Sequence, residues 1–516
     1  MQTFSSFDFK NLFVLDMANN HQGILDHGKR IITEHCAIAK KNKVRAGIKF
    51  QFRDLPDFVH IDEQKNQTNK HVPRFLSTMM SWDNYAELVQ EVKANDCYSI
   101  CTPFDEPSVD KIIELGFDII KIASCSAKDW PLLEKVASAN LPLIISTGGL
   151  SLHEVDNLVS FFTHKGCEFA LMHCVSIYPT PNDACNLGSI SNFCKRYPGI
   201  TIGWSTHENP DEITQVGLAY ALGGRMFERH IGIETDEIKL NLYSSKPKQT
   251  DSWMNAYNKA IEIIGSDSRN NLLDEEINAL DDLKRGVFLK KDKKAGQKIS
   301  KEDFYYAFPC LKNQLDAGTF SPEGVLLNDI LVNQPLMITD YEIKKSSNLN
   351  KEIILKHAIH DVKALLNYSG VSLNHEFHTE YSHHYGIERF REVGAVLITV
   401  VNREYAKKII VQLPMQRHPL HMHKLKEETF LVLSGDLIIE LDGVEHILGP
   451  GEQVTVMPGV WHQFTTNKGA VFEEISTTAH RNDSTYRDSK INNLEHSERK
   501  TVVDHWGRFQ INKSLS

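Results

Sequence analysis

From residue 1 to about residue 265 the chain alternates short apolar runs with polar stretches of helical period. Eight apolar runs stand out: NLFVLDMA (11–18), RAGIKFQ (45–51), CYSICTPF (97–104), DIIKIAS (118–124), LPLIISTG (141–148), EFALMHCV (168–175), TIGWSTH (201–207) and RMFERHIG (225–232). The stretches between them carry helix-start signals. Ser81 precedes WDNYAELVQEVKAN as an N-cap, and Ser151 with Glu154 forms a capping-box pattern. Strands that alternate with helices predict parallel pairing. Eight such units in about 250 residues predict a (β/α)8 TIM barrel. An open doubly wound sheet is less favoured, because no G-x-G-x-x-G follows any run.

Beyond the barrel the pattern changes. Residues 266–283 are polar and read as a linking helix, and residues 284–345 as a small β-rich module. From about 350 to 490 come short strand candidates such as IIVQL, FLVLSGDLIIELDG and EQVTVMPGVWHQF, which predict an all-β barrel or sandwich. The sequence after 480, with the tail 491–516, reads as polar and irregular, apart from docking by Trp506 and Phe509. No solenoid-like repeat is present.

The chain has 516 residues, is 41% hydrophobic and 24% charged, and has a formal net charge of −10. This is ordinary globular composition, and the acidic balance argues against a broad nucleic-acid face. The nine cysteines include no C-x-x-C pair and read as reduced thiols. The first residues lack a signal-peptide pattern, and no apolar run approaches the ~20 residues that span a bilayer. The expectation is a cytoplasmic protein without nucleic-acid or membrane partners.

Polar residues cluster where the barrel runs end. Asp16, Asn20 and His21 follow the first; Lys49 and Gln51, Thr102 and Asp105, Lys121 and Ser124, and Ser146 and Thr147 follow the next four. His173, Ser176 and Tyr178, then Ser205 and His207, then Glu228 and His230 follow the last three. The C-terminal rim is where barrels of this kind build their active sites. Lys49 and Lys121 can neutralise a phosphate and a carboxylate, and Thr102, Ser124, Ser146 and Ser205 can donate to the same anions. His207 and His230 can grip one divalent metal, and Asp16 can move a proton.

These segments resemble the sialic acid synthase (NeuB-like) family, which includes N-acetylneuraminate, legionaminate and pseudaminate synthases. The matching motifs are NNHQG (19–23), IKFQ (48–51), TPFD (102–105), KIAS (121–124), ISTGG (145–149), HCVSIYPTP (173–181), GWSTHE (203–208) and ERHIG (228–232). The resemblance covers about 1–265. It implies metal-dependent condensation of phosphoenolpyruvate with an aldose, mannose-like or N-acylhexosamine-like, to a 3-deoxy-2-ketoaldonic acid with release of phosphate. It implies Mn²⁺ or Mg²⁺ on His207 and His230. Phosphoenolpyruvate contacts fall on Lys49, Thr102, Lys121, Ser124, Ser146, Ser176 and Ser205, beside Gln51. Tyr178 falls on the sugar side. Three positions depart from the family: Asp16 stands for a catalytic glutamate, Thr206 for an aspartate, and Asn241 for a sugar-contacting aspartate. Residues 284–345 resemble the SAF (antifreeze-like) domain of these synthases, which implies a domain-swapped homodimer.

A second constellation lies at His421-x-His423-x4-Glu428-x6-Gly435, followed by Pro458-Gly459-x2-His462. A strand projects alternate residues to one face, so His421 and His423 point together. With Glu428 and His462 they suit Mn²⁺, Zn²⁺, Fe²⁺ or Ni²⁺. The spacing resembles the two cupin motifs. The segment 473–488 resembles D-lyxose isomerase-type cupins, which implies Glu473 or Glu474 as an acid/base that helps supply or select the sugar. Two other readings stay open: a metal-dependent sugar isomerase or epimerase with a non-catalytic barrel, and a sugar-binding regulatory protein.

Overall fold

Eight strands pair in sequence order into a closed parallel barrel: β1 (Leu12–Asp16), β2 (Arg45–Phe52), β3 (Tyr98–Pro103), β4 (Ile119–Ile122), β5 (Leu143–Ser146), β6 (Phe169–Cys174), β7 (Ile202–Thr206) and β8 (Met226–His230), with β8 returning to β1. The computed structural model describes residues 7–66, 68–266, 272–322, 324–342, 347–373, 378–480 and 483–503. These fall into two units, 1–271 and 272–516, taken separately below. Each of the eight apolar runs supplies one strand.

The period-two pattern of the strands builds two apolar layers. Phe13, Leu15, Ile48, Phe50, Ile120 and Ile145 face outward against the helices. Leu12, Val14, Ile100, Ile119, Ile144, Ala170, Met172 and Met226 fill the barrel floor. One or two inward positions further along the same strands, the side chains turn polar. Val14 gives way to Asp16, Ile100 to Thr102, Ile119 to Lys121, Ile144 to Ser146 and Met226 to Glu228. A barrel floored with hydrocarbon and mouthed with polar groups follows from that gradient. The helix starts behave as their sequence predicts. Ser81 accepts from the Asn84 N–H, and Ser151 and Glu154 form a reciprocal capping box.

In the second unit, the piece from Gly286 to Glu342 has two short antiparallel pairs, Gly286–Leu289 with Phe304–Ala307 and Val325–Leu326 with Tyr341–Glu342. Val287, Leu289, Phe304, Phe320, Leu336 and Tyr341 are among its buried core. Buried Asp303 joins Lys291 and Lys293, each at 2.8 Å.

The remainder is a pair of facing antiparallel sheets. One runs in the order Gln453–Val456, Glu428–Gly435, Ala470–Thr477, Tyr405–Gln412, Ala395–Asn402, His378–Ser382, Lys500–Val502. The other runs Val444–Leu448, Leu437–Leu441, His462–Thr465, His421–His423, Ser484–Tyr486. Two expectations are corrected here. The β-rich region is preceded by a helix, Ser347–Ser369, not by strands. Its Leu355, Ala358, Ile359, Val362 and Leu366 recur at helical spacing and pack on Tyr381, Val396, Ile398 and Val411 of the sheet. The described residues after 480 are not irregular throughout: they add Ser484–Tyr486 to one sheet and Lys500–Val502 to the edge of the other. Trp506, Phe509 and residues 267–271 of the linking segment lie outside the described residues. A short helix, Asp274–Asp281, lies within the rest of that segment. The nine cysteines form no disulfide. Among the described residues, no helix is long and apolar enough to cross a membrane.

Gly203 on β7 tests how tightly the barrel wall is fitted. A Cβ there would lie 2.7 Å from the Met226 carbonyl oxygen on β8, and backbone cannot give way as a side-chain tip does. Gly203→Ala is expected to destabilise the barrel by about 1–3 kcal/mol, read by urea unfolding through the fluorescence of buried Trp204.

Candidate active site and metal centre

At the mouth of the barrel four buried charges lock together. Lys49 Nζ lies 2.6 Å from Glu228 Oε1 and 2.9 Å from Asp16 Oδ2. Lys121 Nζ lies 3.0 Å from Glu228 Oε2 and donates to Ser146 Oγ at 2.7 Å. Residues of β1, β2, β4, β5 and β8 are thereby joined across the barrel axis. Burial opposes charge on Lys49, but Asp16 and Glu228 outweigh it and raise its pKa above the ordinary lysine range. Burial lowers that of Lys121, which Glu228 only partly offsets. Glu228 is penalised by burial too, yet Lys121 and Lys49 hold it well below the ordinary carboxylate range.

The two barrel histidines stand beside this network. Their rings are 5.4 Å apart, His230 Nδ1 is 3.2 Å from Asp16 Oδ2, and His207 Nδ1 is 3.1 Å from the Val175 carbonyl oxygen. Burial, with His230 adding to it, takes His207 down to about 3; burial also lowers His230 against the pull of Asp16. Both imidazoles are therefore neutral, the form that ligates metal, and the Val175 contact leaves His207 Nε2 free for it. The pair supplies two nitrogen donors, so a metal here would complete its shell with other groups.

The remaining candidates line the same mouth. Ser124 Oγ accepts the Gly148 N–H at 2.9 Å. A Cβ on Gly148 would fall 2.5 Å from Ser176 Oγ and 2.8 Å from Ser124 Oγ, so glycine keeps a polar cradle open between the two serines. Thr102 and Ser205 are buried, and among the described residues Thr102 Oγ1 has no hydrogen-bond partner. The Tyr178 ring lies tilted against His207, 4.1 Å between centroids, and is half exposed. Asn241 accepts the Tyr243 N–H at 3.1 Å, which aims Tyr243 against Tyr178 and His230 at 5.2 and 5.1 Å. Gln51 meets Arg53 at 3.4 Å. Sequence reasoning placed Glu228 at the rim but gave it no role, and it missed Tyr243. Glu228 falls two residues before His230 on one strand, so strand parity alone points both inward.

In the second unit His421, His423, Glu428 and His462 are all buried, and their ligand atoms lie within 4.8 Å of one another. Among the described residues this is the sole such group of three or more. His421 Nδ1 faces the Pro419 carbonyl oxygen at 3.0 Å and His462 Nδ1 that of Val460 at 3.1 Å, which turns both Nε2 atoms inward. Glu428 Oε1 is 2.8 Å from His462 Nε2. Burial takes His421 well below its ordinary value and His423 to about 4, while Lys426, acting against burial, holds Glu428 down at about 2. Three imidazoles and one carboxylate fit a divalent first-row metal.

The neighbouring acids separate by strand parity. Glu474 points into the cavity between Lys408 (2.9 Å) and Lys426 (3.0 Å). Glu473 points to the other face, where it pairs with Lys407 at 2.7 Å, so it is corrected out of the acid/base role. Lys408, Lys426, Tyr486, His418 and Lys500 also line this cavity, and none was picked out from the sequence.

Both regions match known protein families. Residues 36–268 match the NeuB family and residues 409–474 match the cupin domain. The chain is 35% identical over 234 residues to N-acetylneuraminate-9-phosphate synthase of Drosophila melanogaster, covering 43% of this chain and 60% of that protein. It is 27% identical to N,N'-diacetyllegionaminic acid synthase of Legionella pneumophila, covering 56% and 83%. A crystal structure of a spore coat polysaccharide biosynthesis protein E from Chromobacterium violaceum aligns at 38% identity and a TM-score of 0.61, over 64% of this chain and all of that one.

Two outcomes follow from the two sites. Glu228→Ala strands Lys121 in the barrel and is expected to cost about 3–5 kcal/mol, seen as a lower melting temperature, with Glu228→Gln losing less. His421→Ala and His462→Ala are each expected to lower the divalent metal retained per chain by one equivalent, measured by elemental analysis of the protein after dialysis.

Proposed function

Because the barrel carries a NeuB family domain and the strand-rich unit a cupin domain, we propose that this chain condenses phosphoenolpyruvate with an aldose to give a 3-deoxy-2-ketoaldonic, sialic-acid-like product. The Asp16–Lys49–Glu228–Lys121 network beside the Ser124–Gly148–Ser176 cradle is the observation that carries this reading. Lys49 and Lys121 neutralise the carboxylate and phosphate of phosphoenolpyruvate, and Ser124, Ser146, Ser176, Thr102 and Ser205 donate to their oxygens. A divalent ion on His207 and His230, Mn²⁺ or Mg²⁺, would supply Lewis-acid polarisation of the aldehyde oxygen. Carbon 3 of phosphoenolpyruvate bonds to the aldehyde carbon, water adds at carbon 2, and phosphate leaves. Asp16, within 3.2 Å of both Lys49 and His230, moves the proton, and Tyr178 and Tyr243 wall the sugar side.

The piece 284–345 serves in this reading as an SAF domain that covers the site of a second copy in a homodimer. The cupin binds or isomerises the sugar, with Glu474 as its acid/base. Phosphate release from phosphoenolpyruvate with Mn²⁺ is measured across a panel of aldoses and ketoses. Wild type is expected to release phosphate with at least one sugar, Lys121→Ala to lose 10²-fold or more in kcat/KM (about 3 kcal/mol), and His421→Ala to lose turnover on a ketose but not on its aldose. No release with any sugar would overturn the synthase reading.

A further inference from the structure

A staircase runs along β2 and off its end. Lys49 and Gln51 lie on the strand, and Arg53 follows at the same two-residue spacing just past its last residue, Phe52, about 13 Å beyond Lys49 along the chain. At the top is a cleft of about 320 Å³, whose polar lining is Asn19, Gln51, Arg53, Thr78, Ser81 and Tyr85. Asn19 also belongs to this mouth, three residues past Asp16.

Arg53 is the one strongly basic or acidic side chain that lines the cleft. Its guanidinium is clamped flat between Phe75 and Phe104, 3.9 and 3.7 Å from their ring centroids. Among the described residues no carboxylate lies within ion-pair distance of it, and its buried Nε has no hydrogen-bond partner. The nearby acids are committed elsewhere. Asp105 accepts the N–H groups of Asp54 and Ser108 at 2.8 and 2.9 Å, and Asp16 is held by Lys49. Burial lowers Arg53 to about 10, so it stays charged. Tyr85, raised by its own burial, stays neutral beside it. A cation that is half buried, fixed in plane and left without a counter-ion is costly unless a ligand completes it. A planar fork of N–H donors matches the oxygens of a phosphate or a carboxylate.

We propose that this cleft is an oxyanion subsite in which Arg53 grips a phosphate or carboxylate group at the far end of the sugar whose aldehyde lies at the barrel mouth. This rests on the synthase reading for the identity of the ligand as a sugar, and it makes the acceptor an acidic aldose rather than a neutral one. The aromatic clamp fixes the fork, Gln51 steadies it from β2, and Ser81 offers a further hydroxyl to the anion.

The test measures the melting temperature of the full-length protein with Mn²⁺ against titrations of mannose, glucose and galactose, their 6-phosphates, and their uronates. Phosphoenolpyruvate alone is titrated in parallel. Wild type is expected to bind a 6-phosphate or a uronate at least tenfold more tightly than the parent hexose, and which of the two does so identifies the anion. Arg53→Met should erase that preference and Arg53→Lys restore part of it, while both keep the response to phosphoenolpyruvate, which shows that the barrel is folded. Equal binding of all three sugar forms by wild type, or a preference that survives in Arg53→Met, overturns the subsite. A missing response to phosphoenolpyruvate in wild type counts instead against the synthase reading.

Discussion

The mouth of the barrel depends on one arrangement: two lysines and two carboxylates sharing a volume from which water is excluded. None of the four is affordable there alone, since an isolated charge in such a place costs far more than a single domain's net stability. Together they are balanced, and Glu228 does most of the balancing because its two oxygens serve different lysines. The arrangement also fixes what an anionic ligand meets. The cations are already held in place by strands β2 and β4, so a ligand replaces carboxylate partners instead of drawing flexible side chains inward.

The strand-rich unit solves the same problem with other parts. Lys408, Lys426 and Lys500 face Glu474, Glu428 and Glu380 in and around one cavity, each lysine within 3.0 Å of a carboxylate. Beside them burial keeps His421 and His423 neutral, so the metal-ligating group and the ion pairs share a wall without cancelling each other's chemistry. Ring packing sets the imidazoles: His421 stacks on Tyr486 at 5.5 Å and 19°, and His418 on Phe464 at 4.6 Å and 8°.

Much of this was legible in the sequence, because both sites are built on strands and strand parity is simple. The eight apolar runs, the shift from apolar to polar along each, and the His421–His423 spacing carry the information locally. What escaped depends on pairing between distant segments. Glu473 and Glu474 cannot be told apart by alternation, since Val471 and Phe472 before them are both apolar and both buried. Only the pairing of Glu474 with Phe430 and Lys408 settles which one faces the cavity. The helix Ser347–Ser369 was overlooked although Leu355, Ile359, Val362 and Leu366 carry a helical period, because strand-like stretches follow it closely. Arg53 gave no signal at all: its significance comes from Phe75 and Phe104, brought to it from a helix and from the loop after β3.

The edge strand Lys500–Val502 has a consequence for how the chain is made. All eight barrel strands have been synthesised by residue 230, so the barrel's charge network can assemble while the rest of the chain is still emerging. The cavity of the strand-rich unit must wait for Tyr486 and Lys500, nearly the last residues of that unit to be described. Until they arrive, the sheet edge at His378–Ser382 is unpaired on that side and the histidine cluster lacks part of its wall. The two halves of the molecule therefore mature on different schedules.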